Sequence, residues 1–374
     1  MLKWGVGVEL YIFDRDLNFK GLLDSYFSLR WVRRYHRAGE FELHCALTTE
    51  KLNLLQRGHV LWKKGDPEAG YIEYRQLGQD QQGKEMLAIK GRFLTGYLDR
   101  RIVWGQENLN MTAERAMRLL VDKNCINPLD ADRVIPLLVL GELKDYPETV
   151  NRQTSYKNLL EELENLSLTS ELGYRVLVDL QAAQLTFDVY QGKDLTAGQN
   201  INPPAIFATE FENVFEQQFI DSLNNYRSLA LVAGEGEGQD RQLVTVGSGA
   251  GLDRYELFVD ARDLQSRIYE EGQETPIPPV EYQAMLVERG RTKLAEYQEL
   301  QTFESKINSQ GNLRYKQDFD LGDIVTCISK KWGVTVDSRI TEIEEVYERG
   351  SMEVYCMFGN SVPTLVDKIR QAVR

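Results

Sequence analysis

The amino-acid sequence predicts a β-rich α+β fold with a small β-barrel near each end of the chain. Three observations carry that reading. Apolar and polar residues alternate with period two in the first hundred residues, and strand patterns return after residue 300. Helical spacing is confined to segments between those regions. One turn–strand–hairpin pattern occurs twice. The length fits several units: 374 residues, at roughly 100–200 residues per domain, make two to four.

Residues 1–105 read as the first barrel. In Glu40-Phe41-Glu42-Leu43-His44-Cys45-Ala46-Leu47 the apolar positions share one face and Glu40, Glu42 and His44 the other. Leu87 and Ile89 continue this style after the turn Asp80-Gln81-Gln82-Gly83. Residues 106–205 read as a small α+β domain. Thr112 is placed to cap a helix over 112–124, with Ala116, Leu119 and Leu120 apolar. Ser155 opens a second helix, 155–167, with Leu159, Leu160, Leu163 and Leu166 on one stripe. A hairpin follows over 174–190, turning at Gln181-Ala182-Ala183-Gln184, and Asn202-Pro203-Pro204 closes the domain.

Residues 206–262 and 300–364 read as the second barrel. Within it, Leu229–Val232 and Leu243–Val246 make a hairpin with the acidic tip Gly234–Asp240. Residues 263–299 form a helical insertion, whose helix from 280 to 299 is opened by Pro276, Pro278 and Pro279. A short C-terminal helix covers 365–374.

The repeated pattern runs Arg57-Gly58-His59-Val60-Leu61, Tyr71-Ile72-Glu73, Gly83, Met86–Gly91. Its echo runs Leu321-Gly322-Asp323-Ile324-Val325, Arg339-Ile340-Thr341-Glu342, Gly350, Val354–Gly359. The Ile-to-Gly spacings are 11 and 10, and the Gly-to-Gly spacings 8 and 9. A Gly turn, a long strand, a Gly hairpin and a return strand explain both copies. Two duplicated barrels produce this, and so do two unrelated meanders with Gly turns.

Composition narrows the function. Hydrophobic residues make up 42% and charged residues 27%, which excludes disordered, collagenous and coiled-coil classes. Lys+Arg is 44 and Asp+Glu 57, a net charge of −13. That argues against a dedicated nucleic-acid or anionic-membrane binder, since both need clustered positive charge. The four cysteines, Cys45, Cys125, Cys327 and Cys356, have no CxxC spacing and apolar neighbours. They read as buried free thiols, in keeping with a reducing compartment. The first residues lack the apolar run of a signal peptide, and no stretch approaches the ~18 apolar residues of a membrane span. The expectation is cytoplasmic synthesis and no membrane anchor. Only three histidines occur, His36, His44 and His59.

No motif for chemistry stands out. Gly247-Ser248-Gly249-Ala250-Gly251 follows a strand, but a strand-like segment comes next where a phosphate site needs a helix. The pairs Glu161-Glu162, Glu270-Glu271 and Glu344-Glu345 read as solvated surface. Gly234–Gly238 and Asp318, Asp320 and Asp323 lack a calcium-loop pattern and read as turns. His44 and Cys45 point to opposite faces of a strand, so His36, His44 and Cys45 make no metal site, and each histidine reads as surface or interface. No catalytic, cofactor or metal residue is expected. The basic-aromatic run Arg30-Trp31-Val32-Arg33-Arg34-Tyr35 has the residue types of protein interfaces. Arg30, Trp31, Arg33, Arg34 and Tyr35, with Arg100 and Arg101 as a second patch, are the interface candidates.

Several segments resemble, in order, a siphophage tail hub and tail-associated protein family. They are Trp31–Tyr35 with Gly39–Leu43, Lys90–Leu94 with Leu98–Ile102, Leu243–Gly247 with Tyr255–Arg262, and Phe319–Thr326 with Arg339–Ile343. The family is similar to the central baseplate hub of contractile phage tails. The resemblance implies a virion tail component, a homotrimer whose subunits carry two tail-tube-like β-barrels and two smaller α/β elements. Three chains would offer six barrels, matching a six-fold tail tube to a three-fold tip. DNA would pass through without specific binding. The implied partners are the tail tube or distal tail protein, the tape measure protein, and tip fibre or receptor-binding proteins. The chain ends soon after the terminal barrel, so no appended enzyme is expected. The alternatives are a tail-associated cell-wall or glycan hydrolase and a host-binding adhesin module.

Overall fold

The computed structural model describes residues 8–79, 83–270, 273–308, 310–348 and 350–359. The expected C-terminal helix at 365–374, the first seven residues and most of the turn at 80–83 lie outside them. The fold is β-rich α+β, built on a 14-stranded sheet that wraps two separate cores.

Half of these strands form the first wrap. Their order is Phe19–Leu23, Leu10–Phe13, Val60–Lys63, Ala69–Gln79, Glu85–Phe93, Glu40–Ala46 and Ser28–Arg34, all antiparallel. The period-two alternation dictates the core. Phe41, Leu43 and Cys45 turn inward onto Ile12, Trp31, Ile89 and Phe93. The two end strands do not pair, so this barrel is partly open.

The second wrap has the order Val214–Ser222, Leu300–Ile307, Ser351–Gly359, Val334–Glu348 and Ile324–Ser329. Asp194–Leu195 and Ile206–Ala208 complete it, running parallel to the last of these. Phe207, Phe303, Val325, Ile340, Ile343 and Phe358 fill its core.

The echo in the sequence has a structural counterpart. Five strands of each wrap follow the same order and directions: two hairpin strands, then a three-stranded meander. Gly58 and Gly322 both have left-handed φ, +87° and +94°, which glycine alone adopts freely. Each donates its N–H to the carbonyl of the matching isoleucine, Ile72 or Ile340. Those isoleucines donate back to His59 and Asp323. The long strand bulges one residue later in both copies, at Glu73 and at Thr341. Gly83 and Gly350 then turn both hairpins at φ +79°. The shared bulge is what a duplicated unit would produce.

Two smaller elements decorate this frame. Residues 94–190 pack on the first wrap through Leu98, Val103, Met117, Leu163 and Phe187. The expected helices are present with shifted limits, Ala113–Val121 and Leu159–Ser170. The first gives way to a wider turn at Asp122–Ile126, and Thr112 precedes it without a side-chain cap. The second starts after Ser155, because Ser155 ends a strand and Asn158 accepts the N–H of Glu161 as cap. The hairpin forms as Gly173–Asp179 with Gln184–Tyr190.

The other element differs from expectation. Leu229–Ala233, Leu243–Gly247 and Glu256–Asp260, which the spacing places in the second barrel, form a three-stranded sheet of their own. The helix Pro279–Ala295 covers it, burying Tyr282, Met285 and Leu286 against Val232 and Val259. The physical reason is partner choice. The helix offers an apolar stripe next in sequence, while the barrel's own outer strand, Val214–Ser222, already pairs with Leu300–Ile307. Asp194–Leu195, in turn, leaves the α+β segment and joins the second barrel.

Candidate functional site: the seam between the barrels

The wraps meet along one antiparallel ladder, Ser28–Arg34 against Glu342–Glu348. Alternation sends successive residues of both strands to opposite faces, so the seam has two different sides.

One side is a ladder of surface charge. Arg30 Nε meets Glu344 at 2.6 Å and its Nη1 meets Glu40 at 2.9 Å. Arg34 bridges Glu342 at 2.7 Å and Glu40 at 2.9 Å. Lys90 and His44 both meet Glu42, and Lys306 meets Glu353. Register places Glu40, Glu42, Glu216, Glu304, Glu342, Glu344, Glu348 and Glu353 on this face. Against them stand Arg30, Arg34, Lys90, Arg92 and Lys306, so acid exceeds base.

The other side is a buried ionic cluster. Arg33, only 1% exposed, donates to Glu68 at 2.9 Å, Asp320 at 2.7 Å and the Tyr315 hydroxyl at 3.1 Å. Lys63 is paired with Asp66 at 3.1 Å and with Glu345. Lys316 reaches Asp66 at 3.0 Å, and Tyr315 and Tyr347 donate to Glu345. Lys63 also sits over the Trp31 ring, 5.3 Å from its centroid. Burial works to raise Asp66 and Glu345, but the surrounding Lys63 and Lys316 charges outweigh it and hold both carboxyls below the usual range. Glu68 is raised by its burial, with Arg33 opposing. The cluster draws on both wraps, so it locks one barrel to the other. Removing one member would strand a buried charge.

Trp31, Arg33 and Tyr35, read as interface residues, are buried inside the chain. Trp31 packs on Phe41 and Phe93 in the first core. Tyr35 enters the second core and donates to the carbonyls of Glu171 and Tyr190. The interface these three serve is the internal one. Arg30 and Arg34 lie on the charged face. Arg100 is apart from them, its guanidinium over the rings of Tyr71 and Tyr97, and Arg101 donates to the Arg133 carbonyl at 2.7 Å.

Sequence reasoning missed the acidic half of the cluster. Of the paired glutamates read as solvated, Glu345 joins Lys63, and Glu162 is buried against Arg152 at 2.8 Å. Adjacent Glu residues do diverge, Glu344 outward to Arg30 and Glu345 inward. The Glu270-Glu271 side chains lie outside the described residues. A signal existed: Leu29, Trp31, Arg33 and Tyr35 alternate on one face, and so do Ile343, Glu345 and Tyr347. A charge between buried apolar neighbours needs a buried partner. The partners stand as many as 287 residues away, which no spacing reveals.

The remaining candidates are structural. Half-buried His36 donates from Nδ1 to Ser167 Oγ at 2.7 Å, because the Ser167 hydroxyl itself donates to the Leu172 carbonyl. Burial, with Arg339 and Arg37 nearby, pushes it down to about 3. It packs against the helix Leu159–Ser170. All four cysteines are free and buried. Asp318 caps a turn through Arg314. No group of three metal-ligating side chains occurs among the described residues, and no described helix is long and apolar enough to cross a membrane.

Residues 9–360 match the family described as siphovirus ReqiPepy6 Gp37-like protein. The chain belongs to this siphovirus tail protein family. No curated protein matches the sequence. Solved structures with the same fold include three tail proteins. The 43 kDa tail protein of prophage MuSo2 from Shewanella oneidensis aligns with a TM-score of 0.57 and 13% identity, over 94% of this chain and 98% of that one. A tail protein from Neisseria meningitidis MC58 aligns at 0.56 and 13%, over 95% and 97%. Prophage tail protein gp18 from Listeria monocytogenes EGD-e aligns at 0.56 and 11%, over 98% of both chains.

Proposed function

We propose that this phage tail protein is a non-enzymatic hub, a homotrimer that joins the six-fold tail tube to a three-fold tip and forms the channel for DNA. The observation that carries this reading is the pair of like barrels in one chain, fused through a continuous sheet. Three copies present six barrels while keeping three-fold symmetry for everything else. The charged face of the shared sheet is the wall of that channel. Its excess of glutamate repels phosphate, and its ion pairs leave few free cations to hold DNA. The flanking partners are the tail tube or distal tail protein on one side, and tip fibre or receptor-binding proteins on the other, with the tape measure protein in the lumen.

Light scattering with negative-stain microscopy tests this. A ring of six densities around a channel is expected, alone or with the tail tube protein added. A chain that stays monomeric with that partner present overturns it. Activity of the purified protein on peptidoglycan would overturn the non-enzymatic part.

A further inference from the structure

We propose that the free edge of Ala69–Gln79 pairs with the free edge of Val214–Ser222 on a second copy of the chain, in the register the internal seam uses. This rests on the ring of barrels proposed above and names the strands that close it.

The repeat assigns each strand a counterpart. Matching the bulges and cross-strand partners places Tyr74 where Glu342 stands, Arg75 at Ile343 and Leu77 at Glu345. It places Phe219 at Trp31 and Asp221 at Arg33. The aromatic cross-strand pairs agree: Trp31 lies 5.9 Å from Phe41, and Phe219 lies 6.1 Å from Phe303. Within one copy, the second barrel's long strand uses its C-terminal half to capture the first barrel's outer strand. The equivalent half-strand of the first barrel, Tyr74–Gln79, is paired on one side alone among the described residues. The equivalent outer strand of the second barrel, Val214–Ser222, is paired on one side alone as well. Each copy therefore carries one half of the seam at each end. Such unpaired edges template strand addition.

The side chains fit the same register. It sets Arg75 opposite Asp221 and Leu77 opposite Phe219, an opposite-charge pair and an apolar pair. Trp31 is fully buried inside its seam, while Phe219 is half-buried and Leu77 is 53% exposed. In the internal seam, Arg33 enters an acidic nest. The corresponding place on the first barrel is an open groove of about 510 Å³, whose lining includes Leu52, Arg57, Tyr74, Arg75, Leu77 and Glu73, the last already paired with Arg92. Arg75 Nε is buried there without a hydrogen-bond partner. The polarity is reversed: an acid, Asp221, would enter a groove that holds Arg57 and Arg75, while its one acid, Glu73, is paired with Arg92. Because the two edges differ, the contact is head-to-tail and closes into a ring.

The test is a Gln76→Cys/Ile220→Cys variant, bridged by oxidation or a short thiol cross-linker. Covalent species ending at the trimer are expected, with none from either single variant and a dimer from their mixture. Separately, Asp221→Arg should weaken assembly by about tenfold through repulsion with Arg75, and Arg75→Asp added to it should restore assembly. Circular dichroism of each variant confirms folding, since these residues are exposed or half-buried. A trimer by light scattering that forms no cross-link overturns the strand pairing and leaves the ring reading standing. A chain that stays monomeric and uncross-linked with the tail tube protein present overturns both.

Discussion

The two barrels follow one plan and meet different fates at their outer strand. In the first, Ser28–Arg34 is held on both edges and Trp31 is fully buried. In the second, Val214–Ser222 is held on one edge, and its matching aromatic, Phe219, is half-buried. Both aromatics stack on a phenylalanine of the neighbouring strand. What separates a core residue from a surface one here is the presence of another sheet beyond the edge. Residue type alone does not decide it.

This contrast is breakable by truncation. Trp31→Ala should cost about 3–5 kcal/mol in urea unfolding, because a large cavity opens next to Lys63 and Phe93. Phe219→Ala should cost the isolated chain about 1 kcal/mol, since half of its surface already meets water. Equal costs would mean that the second edge is covered within one copy. Assembly should respond in the opposite order, with Phe219→Ala the more damaging.

The two left-handed glycines offer a second contrast. A Cβ on Gly322 would collide with the buried Tyr35 ring, while one on Gly58 would meet the flexible end of Arg15. Both substitutions force an unfavourable φ, worth roughly 1–2 kcal/mol. Gly322→Ala adds overpacking of about 1–3 kcal/mol, and Gly58→Ala does not, because Arg15 can swing into solvent. A thermal melt of each variant checks the difference. Identical midpoints would show that Tyr35 yields as easily as Arg15.

These contrasts mark how far sequence reading reaches. Alternation in Glu40–Ala46 exposes its inward face directly, and the glycines and isoleucines of the meander are local signals, so the repeat is legible. The sheet at 229–260 is not legible as a separate sheet, because strand spacing says nothing about which sheet a strand joins. The buried seam was half legible. Arg33 stands out between Trp31 and Tyr35, but its partners Glu68 and Asp320 stand 35 and 287 residues away, outside any strand, and no local spacing selects them.

Acid should loosen the seam in a graded way. Asp66 and Glu345 are held below their unfolded values, so they stabilise the fold above about pH 4, and that contribution is lost as pH falls through their folded values. Glu68, raised by burial, works in the other direction and offsets part of the loss. Unfolding midpoints measured from pH 7 to pH 3 should fall. A Glu345→Gln variant should start lower and fall less steeply. A flat profile in the parent chain would mean that the cluster contributes nothing net.

The smallest effect belongs to the charged face. Arg30 and Glu344 are both partly exposed, so water screens their 2.6 Å pair and each long side chain loses freedom in making it. Arg30→Gln should therefore cost about 0.2–1 kcal/mol, shrinking further at high salt as the Debye length falls to about 3 Å near 1 M. The buried side of the same strand should show far weaker salt dependence, since Arg33 is shielded from ions. Comparing Arg30→Gln with Arg33→Gln at low and high salt reads the two faces of one strand independently. If both respond alike, the seam is wet on both sides and the cluster cannot be what locks the barrels.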